Sequence, residues 1–427
     1  MKEENRDTIK LCGWVENLRD LGKILFIKVR DDSGYYQVTI IREESSKIFE
    51  EAKKIKPESV ISLNGIKRAN KKVINGYEII PQQIELMSEA EQPVPLNLNE
   101  NVKSSLDKEI DYRFLSLRKP SVASIFKIQS TVSNAIVEFF QKNGFYQIHS
   151  SKIVSQATEG GANVFPVIYF DRTAYLAQSP QFYKQMMMSA GLEKVFEIGP
   201  VFRAEPHHTS RHLTEYTSVD IEMSFIKSYE DVMDIMEDMM IYLFKKVRKT
   251  NVRELKSTGA SLKVPRKPFP RINMADAAKI LEKYGNRPKD DGDIDPEGER
   301  ILGEYVKERY GAEIFFLTEF PWTIAQFYHM RSKENPNITY RADMIYKGLE
   351  ITTLAQREHR YDVLVKQLKE KGLDQEKFQF YLDFFRYGVP PHGGSGTGLE
   401  RIVKQMLNLE NVAEATLLPR TPDRLTP

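Results

Sequence analysis

The sequence predicts an α+β protein in two parts, a small five-stranded β-barrel followed by a larger domain in which helices flank antiparallel strands. Three observations carry this expectation. Residues 9 to about 88 break into short strand-like segments separated by turn signals, whereas from about 119 onward apolar positions recur at helical spacing over long stretches. A charged hairpin over 201–222 is matched, far along the chain, by a glycine-rich strand at 393–398 that runs into a helix. At 427 residues the chain is long for one core, so two domains are expected, with boundaries at 1–92 for the barrel, 93–118 for a linker marked by Pro93 and Pro95, and 119–427 for the larger domain.

Composition narrows the setting. Lys and Arg number 62 against 60 Asp and Glu, so nucleic-acid binding would rest on local patches rather than net charge. Lys67, Arg68, Lys71 and Lys72 form one such run, a pattern that is more often a solvated loop. The single Cys12 excludes an internal disulfide framework and a cysteine-only metal site. No apolar run approaches a membrane span, so no membrane partner is expected and the reading is cytoplasmic.

In the small domain, strands are expected at 10–18, 24–31, 35–42, 59–68 and 77–87, with a helix near 45–55 between the third and fourth. That order is the OB-fold, a barrel often used on oligonucleotides. Leu25, Ile27 and Val29 alternate to one face of the second strand; Phe26 points the other way, among Ile24, Lys28 and Arg30. An outward aromatic beside basic side chains can stack a base, and Gln37 on the third strand can bond a base edge. A second buried face or a domain interface would give the same pattern.

In the large domain, helices are expected over 122–142 and 229–248, and Met233, Met236, Met239 and Met240 of the second read as core. The charged stretch at about 250–310 reads as an inserted subdomain without evident chemistry. In the hairpin, Arg203 and Glu205 share one face, while Asp220 and Glu222 oppose Val219, Ile221 and Met223. One side is core and the other a charged cleft. Alone, this could be a structural ion-pair network. The second segment, Gly393 to Gly398, lets backbone approach a ligand, and the helix after it offers an N-terminus that favours anions with Arg401 in its first turn. Its glycine spacing fits neither the P-loop nor the dinucleotide fingerprint.

These residues resemble the class II aminoacyl-tRNA synthetases of subclass IIb, and within them the aspartyl enzymes of archaeal type, over nearly the whole chain. The hairpin resembles class motif 2 and the 393–401 segment motif 3. The resemblance implies that Arg203 clamps the ATP α-phosphate, that Glu205 and His212 lie beside ATP, that Tyr216 stacks adenine, and that Arg401 meets the γ-phosphate. Ala177-Gln178-Ser179-Pro180-Gln181-Phe182-Tyr183-Lys184 resembles the aspartyl signature, which with Asp220 implies an ammonium site at Ser179, Gln181 and Asp220 and a side-chain carboxylate on Lys184 and Arg357. A lysine plus a forked guanidinium suits a small dicarboxylic acid. Asparaginyl relatives generally lack the lysine. Ala157-Thr158-Glu159-Gly160-Gly161 resembles the loop that closes over the amino acid, with Glu159 near the ammonium; Asp343, Glu350 and Thr353 match positions that hold or support Mg2+ on the ATP phosphates. Phe26 and Gln37 match anticodon contacts.

The implied reaction is attachment of L-aspartate to tRNA(Asp), with tRNA(Asn) as a second candidate acceptor, through an aspartyl-adenylate and without a protein nucleophile. The alternatives are an asparaginyl enzyme and a paralogue with a specialised or non-catalytic role. A homodimer is implied by the resemblance of residues 144–152 to motif 1, although Ser151 stands where the class places proline. Further departures are Thr353-Leu354-Ala355, expected to put bulk beside the aspartate pocket, Ser395 and Thr397 in place of apolar residues, and Ala325-Gln326 in place of arginine and proline.

Overall fold

The computed structural model describes residues 8–73, 75–100, 102–155, 163–206 and 209–427. They divide into two compact units between Asn97 and Leu98.

The first unit is a closed barrel of five strands, β1 (Thr8–Asp20), β2 (Ile24–Asp31), β3 (Gly34–Ile41), β4 (Val60–Ala69) and β5 (Tyr77–Ser88), in the order β1-β2-β3-β5-β4. The period-2 alternation places Leu25, Ile27 and Val29 in its core. The helix Ser46–Ala52 lies between β3 and β4 and contributes the buried Phe49 and Ala52 to the same core. This is the expected OB-fold arrangement of strands and helix.

The boundary falls inside the expected 93–118 linker. Leu106–Asp111 and Arg113–Ser116 are short helices of the second unit, and the buried Arg113 donates to the carbonyls of Ala413, Thr416 and Leu417. An arginine carries five N–H donors and can satisfy carbonyls from a distant segment, a tie that local composition does not reveal.

The second unit is built on β6 (Tyr146–Gln147), β7 (Ile153–Val154), β8 (Pro166–Tyr169), β9 (Arg172–Leu176), β10 (Lys194–Phe202), β11 (Glu215–Ser224), β12 (Arg271–Asn273), β13 (Ile314–Thr318), β14 (Arg341–Tyr346), β15 (Leu349–Gln356) and β16 (His392–Gly398). Among the described residues, eight of these form one sheet in the order β12-β13-β14-β15-β16-β11-β10-β6. Its neighbours pair antiparallel except the two edge strands, β12 and β6, which pair parallel. β7, β9 and β8 make a separate small sheet.

The helices Pro120–Lys142, Glu230–Thr250 and Leu399–Leu407 build the main core against the sheet, with the four methionines of the second fully buried. The 250–310 stretch supplies β12 and the helices Met274–Lys283 and Pro296–Tyr310. Their Leu281 and Leu302 pack with Phe315 and Leu317 of β13, so this stretch extends the sheet. Its charges cover the outer face of those helices, which is why composition alone suggests a separate body.

Candidate functional site

The functional cleft lies on the sheet face opposite the main core. On β11, Val219 and Ile221 point into that core, and alternation sends Ser218, Asp220 and Glu222 to the other face, all three buried. A cavity of about 290 Å3 opens there. Lining it are Arg203 and Glu205, just past the end of β10, with His212 of the connecting loop and Tyr216 of β11. Glu350 and Thr353 of β15 and Arg401 of the helix after β16 complete that group. Ser179, Gln181, Asp220 and Arg357 line the same cavity.

Arg401 and Glu350 are linked twice: the guanidinium Nη1 donates to the Glu350 carbonyl at 2.8 Å and stands 3.9 Å from its carboxylate. The Thr353 hydroxyl donates to Glu350 Oε1 at 2.9 Å. Burial favours the neutral acid, but Arg401, Arg341 and the Thr353 hydroxyl outweigh it and hold Glu350 below its ordinary pKa. Asp343 behaves differently. Burial pushes it up to about 6, although Arg341 forks onto both of its oxygens at 3.2 and 2.8 Å. The Arg203 guanidinium lies 5.7 Å from the Tyr216 ring centre, and His212 Nε2 is 4.0 Å from Glu205. Burial, then the charge of Arg401, lowers the His212 pKa and favours the neutral imidazole.

Beside this lies a buried group of two cations and two anions. Lys184 is 1% exposed; its ammonium donates to Asp220 Oδ1 and to the Ser395 carbonyl, each at 2.8 Å, and stands 3.8 Å from Glu222. Arg357 Nε donates to Glu222 Oε1 at 3.1 Å, and its Nη2 reaches the Gly394 carbonyl at 3.0 Å and Gln181 Oε1 at 3.4 Å. Gln181 Nε2 is buried without a hydrogen-bond partner. Lys184 thus stands one layer behind the cavity wall, while Arg357 forms part of that wall. Glycine at 394 is a steric requirement: a Cβ would sit 2.1 Å from the Ile221 carbonyl and 2.2 Å from Glu222 Oε2.

Several departures acquire a structural meaning. Leu354 does not crowd the pocket as expected, because alternation turns it away from Thr353 and into the main core. The Ser395 hydroxyl donates to Met236 Sδ at 3.4 Å and the Thr397 hydroxyl lies 2.8 Å from that of Thr352, so both are satisfied within the sheet and its core. Gln326 lines the cavity and Ala325 is buried; Ser151 is exposed ahead of β7. Glu159 lies outside the described residues. Among the described residues there is no group of three or more His, Cys, Asp or Glu placed to hold a metal ion.

Sequence reasoning missed Arg211 and Arg341, which line the cavity, and assigned no role to Glu222. Arg341 had a readable signal, since it sits two residues before Asp343 and therefore on the same strand face. Arg211 had only its place beside His212.

On the barrel, Phe26 is half-buried on the outward face and pairs across the strands with Thr39, while Gln37 pairs with Lys28. Gln37 Nε2 donates to Glu78 at 3.1 Å, and Glu78 also accepts from Thr39 and Arg68. Lys28 stands 3.9 Å over the Tyr35 ring. Arg30, expected beside Phe26, is instead buried in an ion pair with Glu58 at 2.9 Å. A guanidinium at the end of the strand gains more from a charge-assisted bond to a buried carboxylate than from facing water.

A barrel with an aromatic and an amide on one face, and a sheet cleft that gathers two arginines from opposite ends of one domain, define a tRNA synthetase of class II. Residues 105–422 match the model of that family, described as tRNA synthetases class II (D, K and N), and residues 9–87 match the OB-fold nucleic acid binding domain. The chain belongs to the class II tRNA synthetases. Among its relatives, an aspartate–tRNA(Asp) ligase of Pyrococcus abyssi is 48% identical, covering 100% of this chain and 98% of that protein. An aspartate–tRNA(Asp/Asn) ligase of Aeropyrum pernix is 47% identical over 98% of this chain and 95% of the relative. Among solved structures, an asparaginyl-tRNA synthetase from Pyrococcus horikoshii complexed with asparaginyl-adenylate superposes with a TM-score of 0.91 at 32% identity, over 99% of this chain and 96% of that one.

Proposed function

We propose that this chain activates L-aspartate with ATP and transfers it to tRNA(Asp). The observation that carries the reading is the buried group of Lys184, Arg357, Asp220 and Glu222 adjoining the Arg203, Glu350 and Arg401 wall of one cavity. A β-carboxylate would dock on Arg357 in the cavity wall, and the charge of Lys184 one layer behind it would add to the compensation for its loss of water. The ammonium group of the amino acid would face Asp220, Ser179 and Gln181. Asparagine offers no anion to the same two cations.

The aspartate α-carboxylate then attacks the α-phosphorus of ATP in line, forming aspartyl-adenylate and releasing pyrophosphate. A terminal ribose hydroxyl of tRNA attacks the activated carbonyl in the second step; the hydroxyl proton is lost, the acyl–phosphate bond breaks and AMP leaves as the aspartyl ester forms. No side chain forms a covalent bond. Arg203 and Arg401 orient the phosphates and offset the charge that develops on their oxygens; Tyr216, His212 and Glu205 hold the adenosine end.

ATP would arrive with Mg2+, which supplies neutralisation of phosphate charge when bound. Glu350 and Thr353 fit as its holders: Glu350 is kept ionised and presents hard oxygen ligands to the cavity. Asp343, with both oxygens on Arg341, supports that set through the arginine. Two protein oxygens plus phosphate and water suit this cation.

Phe26 and Gln37 are the proposed anticodon contacts, by stacking and by amide bonding to a splayed base. The protein is proposed to work in the cytoplasm as a homodimer. No described helix is long and apolar enough to cross a membrane. tRNA(Asn) is a second proposed acceptor, since relatives at 48% and 47% identity differ in whether their names carry it.

The direct test is Arg203→Ala. It should abolish aspartate-dependent pyrophosphate exchange while the thermal midpoint stays near that of the parent protein; normal exchange would remove the nucleotide site from this cleft.

A further inference from the structure

The 250–310 stretch carries one side chain that reaches the edge of the nucleotide cavity. Glu299 sits in the first turn of the helix Pro296–Tyr310, whose N-cap Asp295 accepts from the Gly298 N–H at 2.7 Å. That helix is seated tightly on the β14–β15 turn. A Cβ at Gly303 would stand 2.7 Å from the Gly348 nitrogen, and Gly348, at φ 72°, has room for no Cβ, which would meet Arg300 Cα at 2.8 Å. Glu299 is therefore placed by backbone packing.

Its carboxylate closes a ring of contacts. Glu299 Oε2 is 3.0 Å from Arg211 Nη2 and accepts the Glu350 backbone N–H at 3.2 Å. The Glu350 carbonyl accepts from Arg401 Nη1 at 2.8 Å, and Arg401 Nε donates to the Arg211 carbonyl at 3.4 Å. Arg211 Nη2 also donates to the Gly348 carbonyl at 2.6 Å. Three of the four ring members, Arg211, Glu350 and Arg401, line the cavity; Glu299 does not. One oxygen thus fixes the hairpin loop and the start of β15 relative to each other, and through them the guanidinium of Arg401.

We propose that Glu299 is a positioning residue for the phosphate end of the ATP site, acting through Arg211 and Glu350. The proposal rests on the nucleotide-site reading given above. It predicts a selective effect, because the aspartate-binding group contains no member of this ring. With Glu299 removed, Arg211 loses its only carboxylate contact among the described ion pairs and the Glu350 N–H loses its acceptor. The loop and strand then keep only the Arg211–Gly348 contact and the bonds of Arg401 to each, a looser tie that ATP must complete on binding.

The test is pyrophosphate exchange by the full chain with Glu299→Ala, Glu299→Gln, Arg211→Ala and the Glu299→Ala/Arg211→Ala double variant, alongside Arg203→Ala. The expected result is a rise of about tenfold in KM for ATP in Glu299→Ala, with KM for aspartate within about twofold of the parent. The double variant should be no worse than Arg211→Ala by more than about twofold, since the two act through one contact. Should Glu299→Ala fail to fold, Glu299→Gln, which keeps the acceptor for Glu350 N–H and loses the charge facing Arg211, is read in its place. An unchanged KM for ATP, equal rises in both KM values, or fully additive effects would overturn the proposal while an inactive Arg203→Ala left the nucleotide site standing. Normal exchange by Arg203→Ala would withdraw that site, and the role of Glu299 with it.

Discussion

At the scale of single residues, the site depends on charges kept out of water only because each has a partner. Lys184 and Asp220 are both almost fully buried, and removing one leaves the other uncompensated. Lys184→Met should therefore lower unfolding stability by about 3 to 5 kcal/mol and cut aspartate-dependent exchange by about 100-fold or more. Chemical denaturation and exchange kinetics check both; a stable variant with normal aspartate KM would contradict the account. His392 gives a pH signature. Its Nε2 is buried without a partner, and burial, the main cause, pushes its pKa down to about 4. The unfolded chain, with an ordinary value near about 6.5, takes up the proton first. Stability from this residue is complete above about pH 6.5 and is lost as pH falls toward about 4, to a limit of about 3 kcal/mol. Thermal unfolding between about pH 7.5 and 4.5 should show a steeper loss in the parent than in His392→Asn; parallel curves would exclude it.

At the scale of elements, the strand β16 shows how sequence and packing meet. Gly394 has no room for a methyl group, and the space it leaves is filled by the Ile221 carbonyl and the Glu222 carboxylate that grips Arg357. Gly394→Ala should push β16 off β11 and displace Arg357, so that aspartate-dependent exchange falls by about 100-fold with loss of stability; near-normal values would show that the sheet absorbs the clash. Local pattern made much of this legible. The alternation along β2 and β11 fixed which residues face the core and which the cleft, and the helical spacing after β16 located Arg401. What stayed hidden depends on distant segments. Leu354 directly follows a pocket threonine, so its place in the core follows from which strand face Thr353 takes, and the pairing of β14 with β15 settles that. Arg113 answers carbonyls some three hundred positions away, and Glu299 meets Arg211 across nearly ninety. No periodicity records such pairs, so the linker and the 250–310 stretch read as featureless. Arg30 illustrates the same limit in the barrel, where a residue on the outward face is taken up by Glu58.

At the scale of the whole molecule, the proposed activation site lies in residues 98–427 and the proposed anticodon contacts lie in the barrel. A change confined to the barrel face should therefore separate the two half-reactions. Phe26→Ala is expected to raise KM for tRNA(Asp) about tenfold or more, through loss of one stacked base, and to leave pyrophosphate exchange unchanged; equal damage to both steps would count against this division. The central claim is the choice of amino acid, and it is tested most directly by pyrophosphate exchange on the purified full-length chain with L-aspartate or L-asparagine as the only amino acid. The account predicts robust exchange with aspartate and background exchange with asparagine, because Lys184 and Arg357 are arranged for an anion. Exchange driven by asparagine in preference to aspartate would contradict it.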